Sequence, residues 1–272
     1  MLLLVASTES MPPPAALLLG MLAGGGGIIG LGAFYLALAR GTMGLVAPLA
    51  ALLGASLPVA FAFISGEQVG PLRLVGIVVA IVAVVPISLP GGERDAEERR
   101  QARLDMRDLP LVVVSGLGFA AFYILMDGAR AAGGELWWPL VAVRTTGLLA
   151  VLLALGVLLA RARGESVGRR LSGVLGFAPG RLRAGLLGLS PLLLVAGLGD
   201  LGGNAFFVLA NQAGELAVAV VLASLYPVVT TILAAAFLHE RLRWWQIAGI
   251  ALAAAGVVLI TGGDEIQALL GG

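Results

Sequence analysis

Residues 214–262 read GELAVAVVLASLYPVVTTILAAAFLHERLRWWQIAGIALAAAGVVLITG. Two apolar runs, each long enough to cross a bilayer, flank a short turn that carries His239, Glu240, Arg241 and Arg243. A weaker copy, GTMGLVAPLAALLGASLPVAFAFISGEQVGPLRLVGIVVAIVAVVPIS at residues 41–88, lies 173 positions earlier and sets Glu67 against Glu240 and Gly76 against Gly249. Duplication of a membrane unit is a sequence mark of many secondary transporters. This stretch therefore proposes an architecture and a class of function together.

Composition places the rest of the chain in the bilayer as well. Hydrophobic residues make up 59% of the 272 and charged residues 12%, against about 25% charged in an ordinary soluble domain. The mean hydropathy of +1.02 comes from many apolar runs and not from one anchor. The 40 glycines suit membrane helices, where they let backbones approach closely. There is no cysteine, which removes disulfides, iron–sulfur clusters and thiolate chemistry. There is no lysine either, so the chain cannot supply the lysine of a phosphate-binding P-loop. A net charge of +1 gives no argument for nucleic acid. The opening MLLLVASTESMPPP lacks the basic segment and long apolar core of a signal peptide.

A hydrocarbon core of about 30 Å needs roughly 20 apolar helical residues. Eight spans qualify: Ala15–Ala39, Gly44–Ile64, Leu72–Leu89, Leu111–Ala131, Trp137–Ala160, Leu186–Ala210, Leu216–Leu238 and Trp244–Ile260. They are too long, and alternate too little, for strands of a closed barrel. The expected fold is an all-α polytopic membrane bundle. Two charged connections, Glu93–Asp108 and Arg161–Arg183, are too short to bury a core of their own. Trp137, Trp138, Trp244 and Trp245 open two spans, where aromatic belts belong. Arginines near span ends fall mostly on one side: Arg40, five between the third and fourth spans, six between the fifth and sixth, and Arg241 with Arg243. Only Arg73 and Arg130 fall on the other. The positive-inside rule makes the first side cytoplasmic and puts both chain ends outside.

Several residues carry a resemblance. They are Ser224-Leu225-Tyr226-Pro227, Thr230, Leu238-His239-Glu240-Arg241, Gln246, Gly249 and Gly256, with Gly41, Pro48, Pro58, Gly66-Glu67 and Gly76 in the first copy. Together with the fourth span, SGLGFAAFYILMDGA, they resemble EamA-type members of the drug/metabolite transporter superfamily. The resemblance implies two five-helix repeats of inverted topology. Residues 110–262 would form a complete second repeat, 91–109 a charged linker, and 12–90 only three helices of the first, a 3 + 5 version of a 5 + 5 plan. The two opening helices are then expected upstream of this start. The resemblance also implies both ends in the cytoplasm, against the arginine count.

Ionisable groups inside a bilayer are costly and are functional candidates by default. Asp200 sits in the middle of the sixth span. Asn204 and Asn211 follow four and eleven residues later, so the three lie within about 40° of one helix direction. This polar stripe is one candidate for a solute or a coupling proton; a hydrogen-bonded Asp packed between helices is the alternative. Arg144 lies seven residues after Trp137, roughly 10 Å into the membrane. It is placed to meet a solute carboxylate or Asp200, or to snorkel. Pro227 is expected to break the seventh span, with Ser224, Tyr226 and Thr230 close enough to supply polar contacts, and Pro48 and Pro58 to break the second similarly; the alternatives are a kink needed for packing and a core aromatic at Tyr226. Tyr123 on the fourth span completes the candidate solute contacts. Glu67 and Glu240 occupy matching turns and read as structural, capping a helix or pairing with Arg73 and Arg241 at the interface, with a gating role as the alternative. Gly197-Leu-Gly199-Asp-Leu-Gly202 spells a dinucleotide fingerprint but lies in a membrane span, away from any strand–turn–helix.

The leading expectation is a secondary carrier, in the inner or plasma membrane, for a small organic solute. It would work by alternating access, with export the expected direction and a proton as a coupling ion. Neither cofactor nor metal is expected. The alternative is a truncated, non-transporting assembly partner, for which a homodimer would close the open wall. An intramembrane enzyme fares worst, because no span pairs a nucleophile with a base or gathers metal ligands.

Overall fold

The computed structural model describes residues 9–40, 43–89, 109–160, 182–237 and 242–271. Helices account for nearly all of them: α1 (Pro14–Ala39), α2 (Met43–Ile64), α3 (Pro71–Ser88), α4 (Leu109–Ala131), α5 (Trp137–Ala160), α6 (Leu182–Ala213), α7 (Leu216–Ser224), α8 (Tyr226–Phe237) and α9 (Trp244–Gly271). Among the described residues, eight spans are long and apolar enough to cross a membrane, with α7 and α8 sharing one. Most bounds fall within a residue or two of those read from hydropathy. The last helix runs past Ile260, and the sixth begins at Leu182 instead of Leu186. The proline ring fixes φ for a helical start and removes an N–H that would go unused there. Accordingly α1 and α3 each open on a proline, Pro14 and Pro71.

The prolines inside spans behave differently from one another. The chain breaks at Leu225, one residue before Tyr226-Pro227, and leaves a nine-residue half-helix, α7. The breaks expected at Pro48 and Pro58 are absent, since α2 is continuous through both. Each proline frees only one carbonyl, and packed neighbours hold such a helix together at membrane depth. Pro58 is fully buried in that packing.

The 173-residue offset recurs in three dimensions. Shifted by it, the start of α2 at Met43 becomes Leu216, its end at Ile64 becomes Phe237, and the start of α3 at Pro71 becomes Trp244. These are the start of α7, the end of α8 and the start of α9. Contacts repeat as well. A Cβ on Gly76 would lie 2.8 Å from Leu259 Cβ and 2.9 Å from both Gly256 O and Ile260 N. A Cβ on its counterpart Gly249 would meet Ile87 at 2.6 Å, Pro86 at 3.1 Å and Ala83 O at 3.2 Å. Ala83, Pro86 and Ile87 are the counterparts of Gly256, Leu259 and Ile260. The contact set therefore maps onto itself, so a local two-fold axis relates α3 to α9. As the position rises along α3 the partner position falls along α9, so the two helices are antiparallel. A two-fold axis between antiparallel spanning helices lies in the membrane plane, the geometry of an inverted repeat.

The glycine wall of α1 is packed. A Cβ on Gly24 would lie 2.9 Å from Val143 O of α5, and one on Gly30 3.0 Å from Phe119 N of α4. Gly118 approaches closer still, with Gly30 Cα 2.5 Å from where its Cβ would be. Offset by 173, the glycines at 24, 26 and 30 fall on Gly197, Gly199 and Gly203 of α6. None of those three has any atom within 4 Å of a Cβ position. Ala33 of α1 is 8% exposed and its counterpart Phe206 of α6 is 74% exposed. The same sequence feature is thus buried on one helix and bare on the other. The main core gathers α2, α3, α4 and α7, with Ile77, Ile87, Val220 and Val221 almost fully buried in it.

Candidate functional site

At one end of the bundle lie Glu9, the α2–α3 turn, the α4–α5 turn and the short α6–α7 connection. Gly66 holds φ +93 in the α2–α3 turn, a conformation that L side chains rarely adopt. The Glu67 N–H donates back to Ala62 O at 3.0 Å. This turn sends the Glu67 carboxylate across to α7, where Leu216 N–H donates to Oε2 at 3.1 Å and Ala217 N–H to Oε1 at 3.0 Å. A helix start has unsatisfied N–H groups and a positive dipole end, and a carboxylate serves both. Burial pushes the Glu67 carboxyl above its ordinary pKa of 4.5, and the charges of Glu215 and Asp127 push the same way; the two backbone bonds oppose them. Arg73 pairs with Glu215 at 3.6 Å. Glu240, with His239 and Arg241, lies outside the described residues.

Beside this cap is a cavity of about 470 Å³, lined among others by Ser65, Glu67, Ile124, Asp127 and Leu216. That volume is within the range of small-molecule sites. Sequence reasoning passed over Asp127, although the rule for ionisable groups in apolar runs would have found it. It stands four residues before the end of α4, about 6 Å inside the span. Arg130 donates to its Oδ1 through Nε at 3.2 Å and Nη2 at 3.0 Å, and Asn211 Nδ2 donates to the same oxygen at 3.1 Å. Asn211 is 2% exposed, and among the described residues its own Oδ1 has no hydrogen-bond partner. Tyr123 packs on Phe207, ring centroids 4.8 Å apart, and its hydroxyl lies near enough to Tyr226 for the two to interact electrostatically.

The stripe on α6 is divided between two environments. Asn211 turns inward to Asp127, while Asp200 is 59% exposed and pairs with Arg144 of α5 at 2.5 Å. Asn204, between them, is half-buried. The Ser224 hydroxyl donates to Val221 O of its own helix at 2.7 Å, and Tyr226 is half-exposed. Another carboxylate that sequence reasoning missed is Glu9, which accepts from the N–H groups of Leu136, Trp137 and Trp138 at 2.8–3.3 Å and caps α5. Among the described residues no group of three His, Cys, Asp or Glu could hold a metal ion. The arrangement offers carboxylate and hydroxyl oxygens around a cavity, with no basic side chain in its lining.

The sequence profile of the EamA-like transporter family matches residues 109–262, more than half of the chain. This chain belongs to the EamA-like transporter family. The EamA-like match takes in α4 through α8 and most of α9, and with eight apolar spans it makes the protein a multi-pass membrane protein of a transporter family. No curated protein matches the chain. A solved structure described as "Crystal structure of protein" is 18% identical, covering 96% of this chain and 92% of that one, with a TM-score of 0.47. A TM-score below 0.5 leaves that fold without bearing on this EamA-like chain.

Proposed function

We propose that this protein is a secondary carrier for a small organic solute, working by alternating access, with export as its direction. The observation that carries the reading is the position of the cavity. Ser65 and Glu67 come from the α2–α3 turn, whereas Ile124, Asp127 and Leu216 come from the part of the chain that matches the family. In this reading residues 12–90 and 110–262 are two units joined by the linker 91–109, and rocking them about the in-plane axis opens and closes the space between them. The broken helix at Leu225 gives one wall a hinge. Carboxylate oxygens without a basic side chain in the lining favour a solute that donates hydrogen bonds, an amine before a carboxylate. Asp127, Glu67 and Ser65 would be its nearest contacts, with Asn211 holding Asp127 from α6 and Tyr123 packed farther in on Phe207, and the Arg144–Asp200 pair braces α5 against α6. The arginine count turns the cavity to the outer face of the inner or plasma membrane.

Counterflow in proteoliposomes tests this. The full-length protein is expected to exchange labelled amines faster than matched carboxylates, and Asp127→Asn should lower that exchange at least tenfold. Well-folded protein that exchanges neither class would overturn the carrier reading. One observation favours a second reading, an assembly partner. The glycine wall of α6 meets nothing among the described residues. A second copy on that wall would show as a dimer in native mass spectrometry.

A further inference from the structure

The Glu67 carboxylate does more than begin a helix. Both of its oxygens receive N–H groups from α7, whereas the residue itself belongs to the turn after α2. The contact therefore joins parts of the chain some 150 residues apart. It seats α7, a half-helix with a break at Leu225 directly behind it. It also borders the cavity, so any loss of the cap frees one cavity wall at its end.

The surroundings fix how this contact answers to protons. Glu215 faces Glu67 from the α6–α7 connection, and Asp127 faces it from α4. Each has an arginine of its own: Arg73 of α3 lies against Glu215, and Arg130 of α4 against Asp127. The charges that press on Glu67 are these two carboxylates, and α2 and α7 bring no charged side chain of their own to it. Seating the charged carboxylate thus trades hydration for two N–H bonds beside two like charges.

We infer that Glu67 is a proton-binding latch, seated on the first turn of α7 when its carboxyl is protonated and released to water when it is ionised. The sign follows from linkage. The seated carboxyl holds its proton more tightly than a solvated one, so seating takes up a proton. Latching is fully favoured below the ordinary pKa of 4.5 and weakens as pH rises through the raised, seated value. Between the two values the ratio of released to latched molecules changes by up to about tenfold per pH unit. A protonated carboxyl still caps, because its carbonyl oxygen accepts an N–H and no charge need be dehydrated. The latch rests on the carrier reading, since it supplies that carrier with a proton bound in one conformation and given up in the other.

The absence of native cysteine allows spin labels at Gln68→Cys and Gly214→Cys alone, in the full chain in lipid nanodiscs. The distance distribution between them is followed from pH 4 to pH 8. The expected result is a single short distance at low pH and a longer population that grows as pH rises, with the slope given above. Glu67→Gln keeps a neutral cap at every pH and should hold the short distance throughout. Asp127→Asn removes one of the like charges and should move the midpoint to lower pH. That variant also keeps the test decisive should Glu67→Gln fail to fold. A wild-type distance that does not change with pH, or a Glu67→Gln protein that still titrates, would overturn the latch. Failure of the carrier reading is seen separately: absent flux with a titrating distance leaves the latch standing, and flux with a fixed distance removes the latch alone.

Discussion

Replacing a glycine by alanine at two positions 173 residues apart should have opposite effects. At Gly30 the new methyl would lie 3.0 Å from Phe119 N, 3.1 Å from Gly118 C and 3.1 Å from Ser115 O. All three are backbone atoms of α4, which cannot swing aside as a side chain can. Relief requires α1 and α4 to move apart, and overpacking of this kind costs about 1–3 kcal/mol. At Gly203 nothing lies within 4 Å of the added methyl, and alanine in place of glycine within a helix favours folding by about 0.5–1 kcal/mol. The gain from replacing glycine is common to both sites, so the two variants should differ by the overpacking alone, about 1–3 kcal/mol. At roughly 2–4 °C per kcal/mol for a chain of this size, Gly30→Ala should melt some 4–8 °C below wild type if its cost is about 2 kcal/mol. Gly203→Ala should melt at or slightly above wild type. Tryptophan-fluorescence melting of purified protein in one detergent reads both, with Gly32→Ala, also open, as a control. A neutral Gly30→Ala would refute the close approach of α1 and α4. A Gly203→Ala that loses as much as Gly30→Ala would refute the bare wall and show that something packs against α6.

Three further outcomes are expected. Arg144→Gln alone leaves Asp200 unpaired in mid-span and should lower the yield of folded protein more than the double variant Arg144→Gln/Asp200→Asn, as a double-mutant cycle on membrane-extracted protein would show. Asn211→Leu removes a donor from Asp127 and should destabilise by about 1–3 kcal/mol in a denaturation series, since a buried acceptor loses a partner. Glu9→Ala strips the cap from the start of α5 and should cost about 1 kcal/mol in the same series, with Glu9→Gln in between.

How much could be read from the sequence follows from the dimension in which each signal resides. Span limits are one-dimensional, and hydropathy placed Trp137–Ala160 and Ala15–Ala39 almost to the residue. The duplication is also one-dimensional, and it set Gly76 against Gly249 as equivalent positions, but that both lie on one seam between α3 and α9 is visible only in the structure. The effect of a proline was less legible. Pro227 coincides with a break while Pro48 and Pro58 do not, because packing around α2 decides whether a freed carbonyl opens the helix. Side-chain convergence was least legible. Helical periodicity put Asp200, Asn204 and Asn211 on one face, but the neighbours differ along that face, Arg144 of α5 at one end and Asp127 of α4 at the other. Asp127 itself lies in an apolar run where nothing local marks its role, because its partner Asn211 is 84 positions away.

The seam between α3 and α9 also bears on how such a chain can change over generations. Gly76 and Gly249, Ala80 and Ala253, and Ile87 and Ile260 are identical across the 173-residue offset, while Ala83 and Gly256 and Pro86 and Leu259 on the same seam have changed. Near a two-fold axis each copy of a residue packs against the neighbourhood of the other copy. A substitution on one side then confronts a surface still shaped for the old residue, and a good fit returns only when the second copy changes too. Two coding changes must arrive together, or the first must be tolerated for a time. Away from the axis the copies have no such mutual obligation and can specialise separately, as the filled wall of α1 and the bare wall of α6 have done.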